Sequence, residues 1–131
     1  MTNPRQLLGR WGESLAADFL VDLGYIVLER NVRTPYGEID LVTRLVEEST
    51  FSGEAVQVTV FVEVKTRTTQ SFGLPEESIT AHKREHLIAA AQSYLQDHPD
   101  LGEVWRIDVI AIQRLQPNKP PAIHHFENAI Q

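Results

Sequence analysis

The chain contains no cysteine, which excludes a disulfide framework, a thiolate metal site and a cysteine nucleophile. No apolar run approaches the roughly 18 residues that a membrane span needs, and the opening Met-Thr-Asn-Pro-Arg lacks the apolar stretch of a secretory signal. A cytoplasmic protein is therefore expected. Basic charge is also scarce, with 12 Lys and Arg against 18 Asp and Glu and a formal net charge of −6. That balance argues against a protein that coats a polyanion through a broad basic surface. It leaves room for a nucleic-acid enzyme with local contacts, because many acids (Glu47, Glu48, Glu54, Asp97, Asp100, Glu103, Glu127) fall away from the central motifs. Internal repeats and low-complexity segments are missing too. The 131 residues, 42% hydrophobic, are expected to form one domain over 1–131 with a sizeable core.

What is present begins with a helix over about Pro4 to Leu23. Asn3 is a suitable N-cap, Pro4 fits the first helical position, and Gln6 completes a capping box. Leu7, Leu8, Trp11, Leu15, Phe19 and Leu23 form its expected buried stripe, ended by Gly24. Glu13 lies off the centre of that stripe, among small residues that would let it approach a sheet edge. Strands follow at Tyr25–Val32, Glu38–Val46 and Ala55–Thr66, the first two joined by a Thr34-Pro35-Tyr36-Gly37 turn. The valines of the third suggest burial on both faces. A polar stretch over 66–75 reads as a loop. A second helix runs from the Thr80 cap to about Asp97, with Leu87, Ile88, Ala91, Tyr94 and Leu95 at helical spacing. Strands at Trp105–Ile112 and near Ile123–Phe126 complete an αβββαββ order, an α/β fold with a central mixed β-sheet flanked by helices.

Two stretches carry chemistry: Gly37-Glu38-Ile39-Asp40 and Phe61-Val62-Glu63-Val64-Lys65. Strand residues two apart share a face, so Glu38 projects with Asp40 and Glu63 with Lys65. The bland reading is a pair of surface salt bridges. The apolar neighbours weigh against it: Ile39, Leu41 and Val42 flank one pair, and Val58, Val60, Phe61, Val62 and Val64 the other. Charges seldom lie inside such runs unless they are paired or bind metal.

These stretches, with Gly9-Arg10-Trp11-Gly12-Glu13, Arg30-Asn31-Val32-Arg33, Thr66-Arg67, Lys83-Arg84 and Arg106-Ile107-Asp108-Val109, occur in an order and spacing that resembles the YraN-type family. That family is a branch of the PD-(D/E)xK nuclease superfamily. The resemblance implies a restriction-endonuclease-like fold similar to archaeal Holliday-junction resolvases, and a metal-dependent endonuclease activity, with branched DNA among the candidate substrates. By motif position it assigns Glu13, Asp40, Glu63 and Lys65 to a catalytic metal site for Mg²⁺ or Mn²⁺. It also implies nucleic acid, DNA ahead of RNA, as partner, and a homodimer by analogy with resolvases. The superfamily's proline before the aspartate is Ile39 here, and Glu38 adds a carboxylate that the minimal motif does not need. Glu38 is thus either a fourth metal ligand or a structural partner of Arg30 or Arg33. The alternative function is a catalytically silent module on the same fold that binds nucleic acid or protein.

Arg33, Arg67, Lys83 and Arg84 are the candidate nucleic-acid contacts. Lys83 and Arg84 place cations at a helix start, which is unfavourable without an anion; a bound phosphate and a solvated face are the competing readings. His82 and His86 are one helical turn apart but lack an evident third zinc ligand. Adjacent strand residues His124 and His125 point to opposite faces and read as surface histidines. Asp108 with Arg106 reads as a structural ion pair, and Trp11 and Trp105 as core.

Overall fold

The computed structural model describes residues 3–68 and 79–130. Helix α1 (Pro4–Asp22) leads into strands β1 (Ile26–Thr34), β2 (Gly37–Glu48) and β3 (Ala55–Arg67); helix α2 (Ala81–Asp97) and a 3-10 turn at Pro99–Leu101 precede β4 (Trp105–Gln113) and β5 (Ala122–Ile130). The sheet order is β1-β2-β3-β4-β5, parallel only between β3 and β4. That parallel pair requires a crossover, which α2 supplies. This α/β arrangement, a five-stranded mixed sheet flanked by two helices, is restriction-endonuclease-like. The loop expected over 66–75 lies largely outside the described residues, and its first two positions extend β3 instead.

Both helices start as their caps dictate. The Asn3 side chain accepts the Arg5 N–H at 2.8 Å and the Thr80 hydroxyl accepts the Lys83 N–H at 3.1 Å. Each covers one face of the sheet. Beneath α2, Leu87, Ala90, Ala91 and Tyr94 pack with Ile39, Val42, Phe61, Ile107 and Val109. Beneath α1, Ala16, Ala17 and Leu20 pack with Leu41, Val58, Val60, Val62, Ile110 and Ile112. Val58, Val60 and Val62 of β3 all face the core beneath α1 while Phe61 joins the core beneath α2, so β3 is buried on both faces as expected, with its valines on one of them.

The stripe of α1 differs from the expected one. Leu7 and Leu23 are each 54% exposed, while Gly12, Ala16, Ala17 and Leu20 face the sheet. The small side chains let the helix axis come close, and the larger Trp11, Leu15 and Phe19 close its edges. At Gly12 the approach is tight: an added Cβ would overlap the Thr66 hydroxyl and lie 3.1 Å from the Thr66 Cβ. Thr66 is β-branched and fixed in a strand, so it has little room to yield. Gly12→Ala should therefore lower stability by about 1–3 kcal/mol through overpacking, outweighing the ~1 kcal/mol gain in helix propensity. Denaturant midpoints of Gly12→Ala alone and with Thr66→Ala check this; the second change should recover part of the loss. A more stable Gly12→Ala protein would show that the helix can move away freely.

His125 also departs from expectation. It is not a surface residue: its Nε2 lies 2.8 Å from Asp108 Oδ2, its ring is edge-on to Phe19 and Tyr25, and its side chain is 10% exposed. His124, its neighbour, is exposed. Asp108 is fully buried and bonded to Arg106 as expected, and also accepts the Asn128 N–H. Trp11 and Trp105 are partly buried at the edges of the two cores.

Candidate metal and nucleic-acid site

The candidate site forms where β2 parts from β3. Their pairing ends at Leu41 opposite Val62, which would leave the Val64 N–H without a ladder acceptor. Asp40 Oδ2 takes that bond at 2.8 Å. A carboxylate thus replaces the missing strand partner and is held in place by the backbone. Across the hairpin, Asn31 has a φ of 52° and interrupts the regular ladder between Arg30 opposite Leu41 and Val32 opposite Ile39. Asparagine is among the residues that tolerate this left-handed conformation. The consequence is visible two residues apart on β2: Ile39 joins the core beneath α2 and Leu41 the core beneath α1.

With its amide nitrogen turned toward the carboxylates, Asn31 donates to Glu38 Oε1 at 3.1 Å and to Glu13 Oε2 at 3.0 Å. One side chain thereby ties α1 to the β1–β2 hairpin. Carboxylate oxygens of Glu13, Glu38 and Asp40 lie within 4.8 Å of one another. Of the two readings of Glu38, its place in this cluster and its bond to Asn31 are what the structure shows.

Glu63 is 7% exposed and sits between two ammonium groups, Lys83 Nζ at 3.0 Å and Lys65 Nζ at 3.6 Å. Lys83, in the first turn of α2, thus meets an internal anion. This resolves the electrostatic anomaly of a cation at a helix start. Two clefts meet at the site, and Asp40 and Glu63 border both. One, of about 460 Å³, is lined additionally by Tyr36, Glu38, His82, Lys83, His86 and Leu87. The other, of about 440 Å³, is lined by Arg5, Leu8, Gly9, Glu13, Val64 and Thr66.

Burial, together with the charges of Glu63, Glu13 and Glu38, raises the Asp40 carboxyl to about 8 despite the Val64 hydrogen bond. Burial also raises Glu13, with the Asn31 hydrogen bond opposing it. Lys65 is pushed down by burial and by Lys83, against the attraction of Glu63. Burial alone would lower Lys83, but its bond to Lys65 and the charges of Glu63 and Asp40 outweigh it and push the ammonium up. The metal-free cluster therefore has more anion than its two lysines neutralise. Hard oxygen donors with uncompensated charge fit Mg²⁺ or Mn²⁺.

A sequence model of the Uncharacterised protein family UPF0102 matches residues 12–112. The chain belongs to that family. It is 37% identical over 130 residues to a UPF0102 protein of Dehalococcoides mccartyi, covering 99% of this chain and 98% of the relative. A UPF0102 protein of Syntrophotalea carbinolica is 40% identical over 129 residues (98% and 95% of the two chains), and one of Roseiflexus castenholzii 42% over 133 residues (100% and 98%). The UPF0102 match spans every residue of the cluster from Glu13 to Lys83.

Six side chains of this UPF0102 protein thus gather in two adjoining groups: Glu13, Glu38 and Asp40, and Glu63 with Lys65 and Lys83. The other three candidate contacts do not line either cleft. Arg33 is exposed on β1 beside a separate recess of about 200 Å³. Arg67 ends β3, where its carbonyl accepts the Arg114 N–H, and Arg84 donates from Nε to the Ile79 carbonyl at 3.4 Å. Sequence reasoning passed over Asn31 as a site residue, although a residue of low β propensity inside a strand pattern was a usable signal. For Lys83 it weighed an external phosphate against a solvated face, and neither reading included Glu63. No helix among the described residues is long and apolar enough to cross a membrane.

Proposed function

We propose that this protein is a metal-dependent endonuclease that hydrolyses phosphodiester bonds in nucleic acid, with DNA the first substrate class. The observation that supports the reading best is the buried Glu63 flanked by Lys65 and Lys83, beside an Asp40 carboxylate pinned to the β3 backbone. A purely structural salt bridge needs neither the second lysine nor the three further carboxylates. Asp40 and Glu63 would hold the cation, with Glu13 and Glu38 on its helix and hairpin sides. A bound Mg²⁺ or Mn²⁺ supplies Lewis acidity and lowers the pKa of water.

The chain's own residues do the rest. Asn31 orients Glu13 and Glu38 by donating to both. The Val64 N–H aims Asp40. Lys65 positions or deprotonates the attacking water from the same strand as Glu63. Lys83 offsets charge on the phosphate as it develops in the transition state. Arg33 is the strand partner of Glu38, Arg67 lies two residues beyond Lys65, and Arg84 follows Lys83. These positions suit contacts to the flanking backbone of a bound strand.

Lys65→Ala should remove Mn²⁺-dependent cleavage while preserving binding, because a single lysine is one part of the phosphate contact set. The assay uses purified protein with Mn²⁺ or Mg²⁺ on duplex, single-stranded and branched DNA and on structured RNA. Equal cleavage by both proteins would assign the activity elsewhere. Binding without cleavage by either would favour a silent binding module on the same fold.

A further inference from the structure

The cleft beneath α2 has more than a phosphate site needs. Its floor is apolar, made by Leu87 and Ala90; its walls carry the rings of Tyr36, His82 and His86; its charged rim is Glu38, Asp40, Glu63 and Lys83. The two imidazoles stand 4.3 Å apart, centroid to centroid, at 47°. His86 is held by its Nδ1, 2.9 Å from the Tyr36 carbonyl, which joins the start of α2 to the β1–β2 turn. Tyr36 itself is 50% exposed, and both histidines are exposed at the cleft wall. The opposite cleft has no aromatic ring among its described lining residues; Arg5, Leu8, Gly9 and Thr66 border it. The site is therefore asymmetric, with rings on one side of the carboxylates and none on the other.

Resting on the endonuclease reading, we infer that the cleft beneath α2 takes an unstacked nucleobase next to the phosphate at Asp40 and Glu63. A planar heterocycle with polar edges, tethered to an anion, matches an apolar floor, ring walls and an ammonium at the rim. A volume of about 460 Å³ lies within the range of small-molecule sites. The base stacks on the exposed rings, a contact that tolerates any base because each has a π face. The histidines act here as a stacking platform rather than as zinc ligands, since among the described residues no third ligand joins them. The substrate class is then a strand with an unpaired nucleotide beside the scissile bond, such as a single strand, a bulge or a branch point. In a continuous duplex, the base must first leave its stack.

The test compares equilibrium binding of two single-stranded DNA oligonucleotides, one intact and one carrying a single abasic position, scanned along the strand. Calcium replaces Mn²⁺ so that cleavage does not interfere. At one position the abasic strand should bind the wild type about 5- to 100-fold more weakly. His82→Ala with His86→Ala should bind both strands equally, at the affinity of the abasic one; circular dichroism checks that the helix persists. 2-Aminopurine at the sensitive position should change fluorescence on binding the wild type and not the variant. Equal wild-type affinity for intact and abasic strands at every position would overturn the inference, and Mn²⁺-dependent cleavage by the same preparation would leave the endonuclease reading standing. Base-dependent binding without cleavage would keep the inference and remove the hydrolase. Failure to bind any oligonucleotide would overturn both.

Discussion

Asp40→Asn should raise the melting temperature of the metal-free protein at pH 8, by roughly 5–10 °C, and weaken its stabilisation by Mn²⁺. The substituted amide keeps an oxygen that can accept the Val64 N–H, so the local strand geometry survives while the charge goes. The carboxyl of Asp40 is raised from 3.8 to about 8 by burial and by Glu63, Glu13 and Glu38. Each unit of such a shift corresponds to about 1.4 kcal/mol, so full ionisation in the fold costs on the order of 5 kcal/mol. Part of that persists among the remaining carboxylates, which leaves a net gain of a few kcal/mol. The sign follows from linkage. Between pH 3.8 and about 8 the folded state keeps a proton on Asp40 that the unfolded chain has lost. Stability from this group therefore falls as pH rises through that window, and the advantage of asparagine should shrink toward zero near pH 4. A cation bound to the native state adds stability according to its affinity, so wild type should gain more from Mn²⁺ than Asp40→Asn. Thermal melts at pH 5 and pH 8, with chelator and with Mn²⁺, measure all of this. A destabilised Asp40→Asn protein at pH 8, together with no Mn²⁺ shift in the wild type, would remove the metal site.

The second large effect lies away from the clefts. Asp108→Ala should cost about 3–5 kcal/mol, the penalty for breaking a buried ion pair by removing one partner. For a chain of 131 residues that is a drop on the order of 10–20 °C in melting temperature. Asp108 is fully buried and accepts from Arg106 Nε at 3.0 Å, the Asn128 N–H at 2.8 Å and His125 Nε2 at 2.8 Å. Arg106 continues to the Tyr25 hydroxyl at 2.9 Å and Glu47 at 2.6 Å, so the cluster ties β4 and β5 to β2 and to the residue that begins the run into β1. Alanine would leave three donors unsatisfied. Burial alone would raise the Asp108 carboxyl, but the bonds from His125, Asn128 and Arg106 outweigh it and hold it below 3.8. Its contribution is therefore present above that pH and lost as the pH falls through the lowered value. The gap between wild type and Asp108→Ala should narrow only as the pH falls below 3.8, through the lowered value. Glu127→Ala is the comparison: that exposed carboxylate is 3.9 Å from Arg106 and should matter by less than about 1 kcal/mol. Denaturant titrations of the three proteins at pH 7 and pH 3 decide it. An Asp108→Ala protein within about 1 kcal/mol of wild type at pH 7 would show that the cluster relaxes into water.

Periodicity and caps were enough to place both helices, all five strands and the α/β class, because those depend on neighbours a few residues apart. The Glu63–Lys65 pair was legible for the same reason. The approach of Glu13 from α1 was legible only as an expectation, since it depends on how closely Gly12 lets the helix settle on Thr66. The sequence alone could not distinguish the exposed Leu7 and Leu23 from the apolar residues that face the sheet, because hydrophobicity at helical spacing does not say which side of a broad stripe is covered. Lys83 carried a correct clue, a cation misplaced at a helix start, but its anion lies 20 residues earlier in the chain on another element. Asn31 and His125 were missed because a side chain's partner across a sheet depends on ladder breaks that composition does not encode. The sequence by itself determined the elements, their order and which residue types could do the chemistry. Only the tertiary structure decided that β2 leaves β3 at Asp40, that Asn31 ties the hairpin to α1, and that two unlike clefts meet at the carboxylates, because each depends on contacts between residues far apart in the chain.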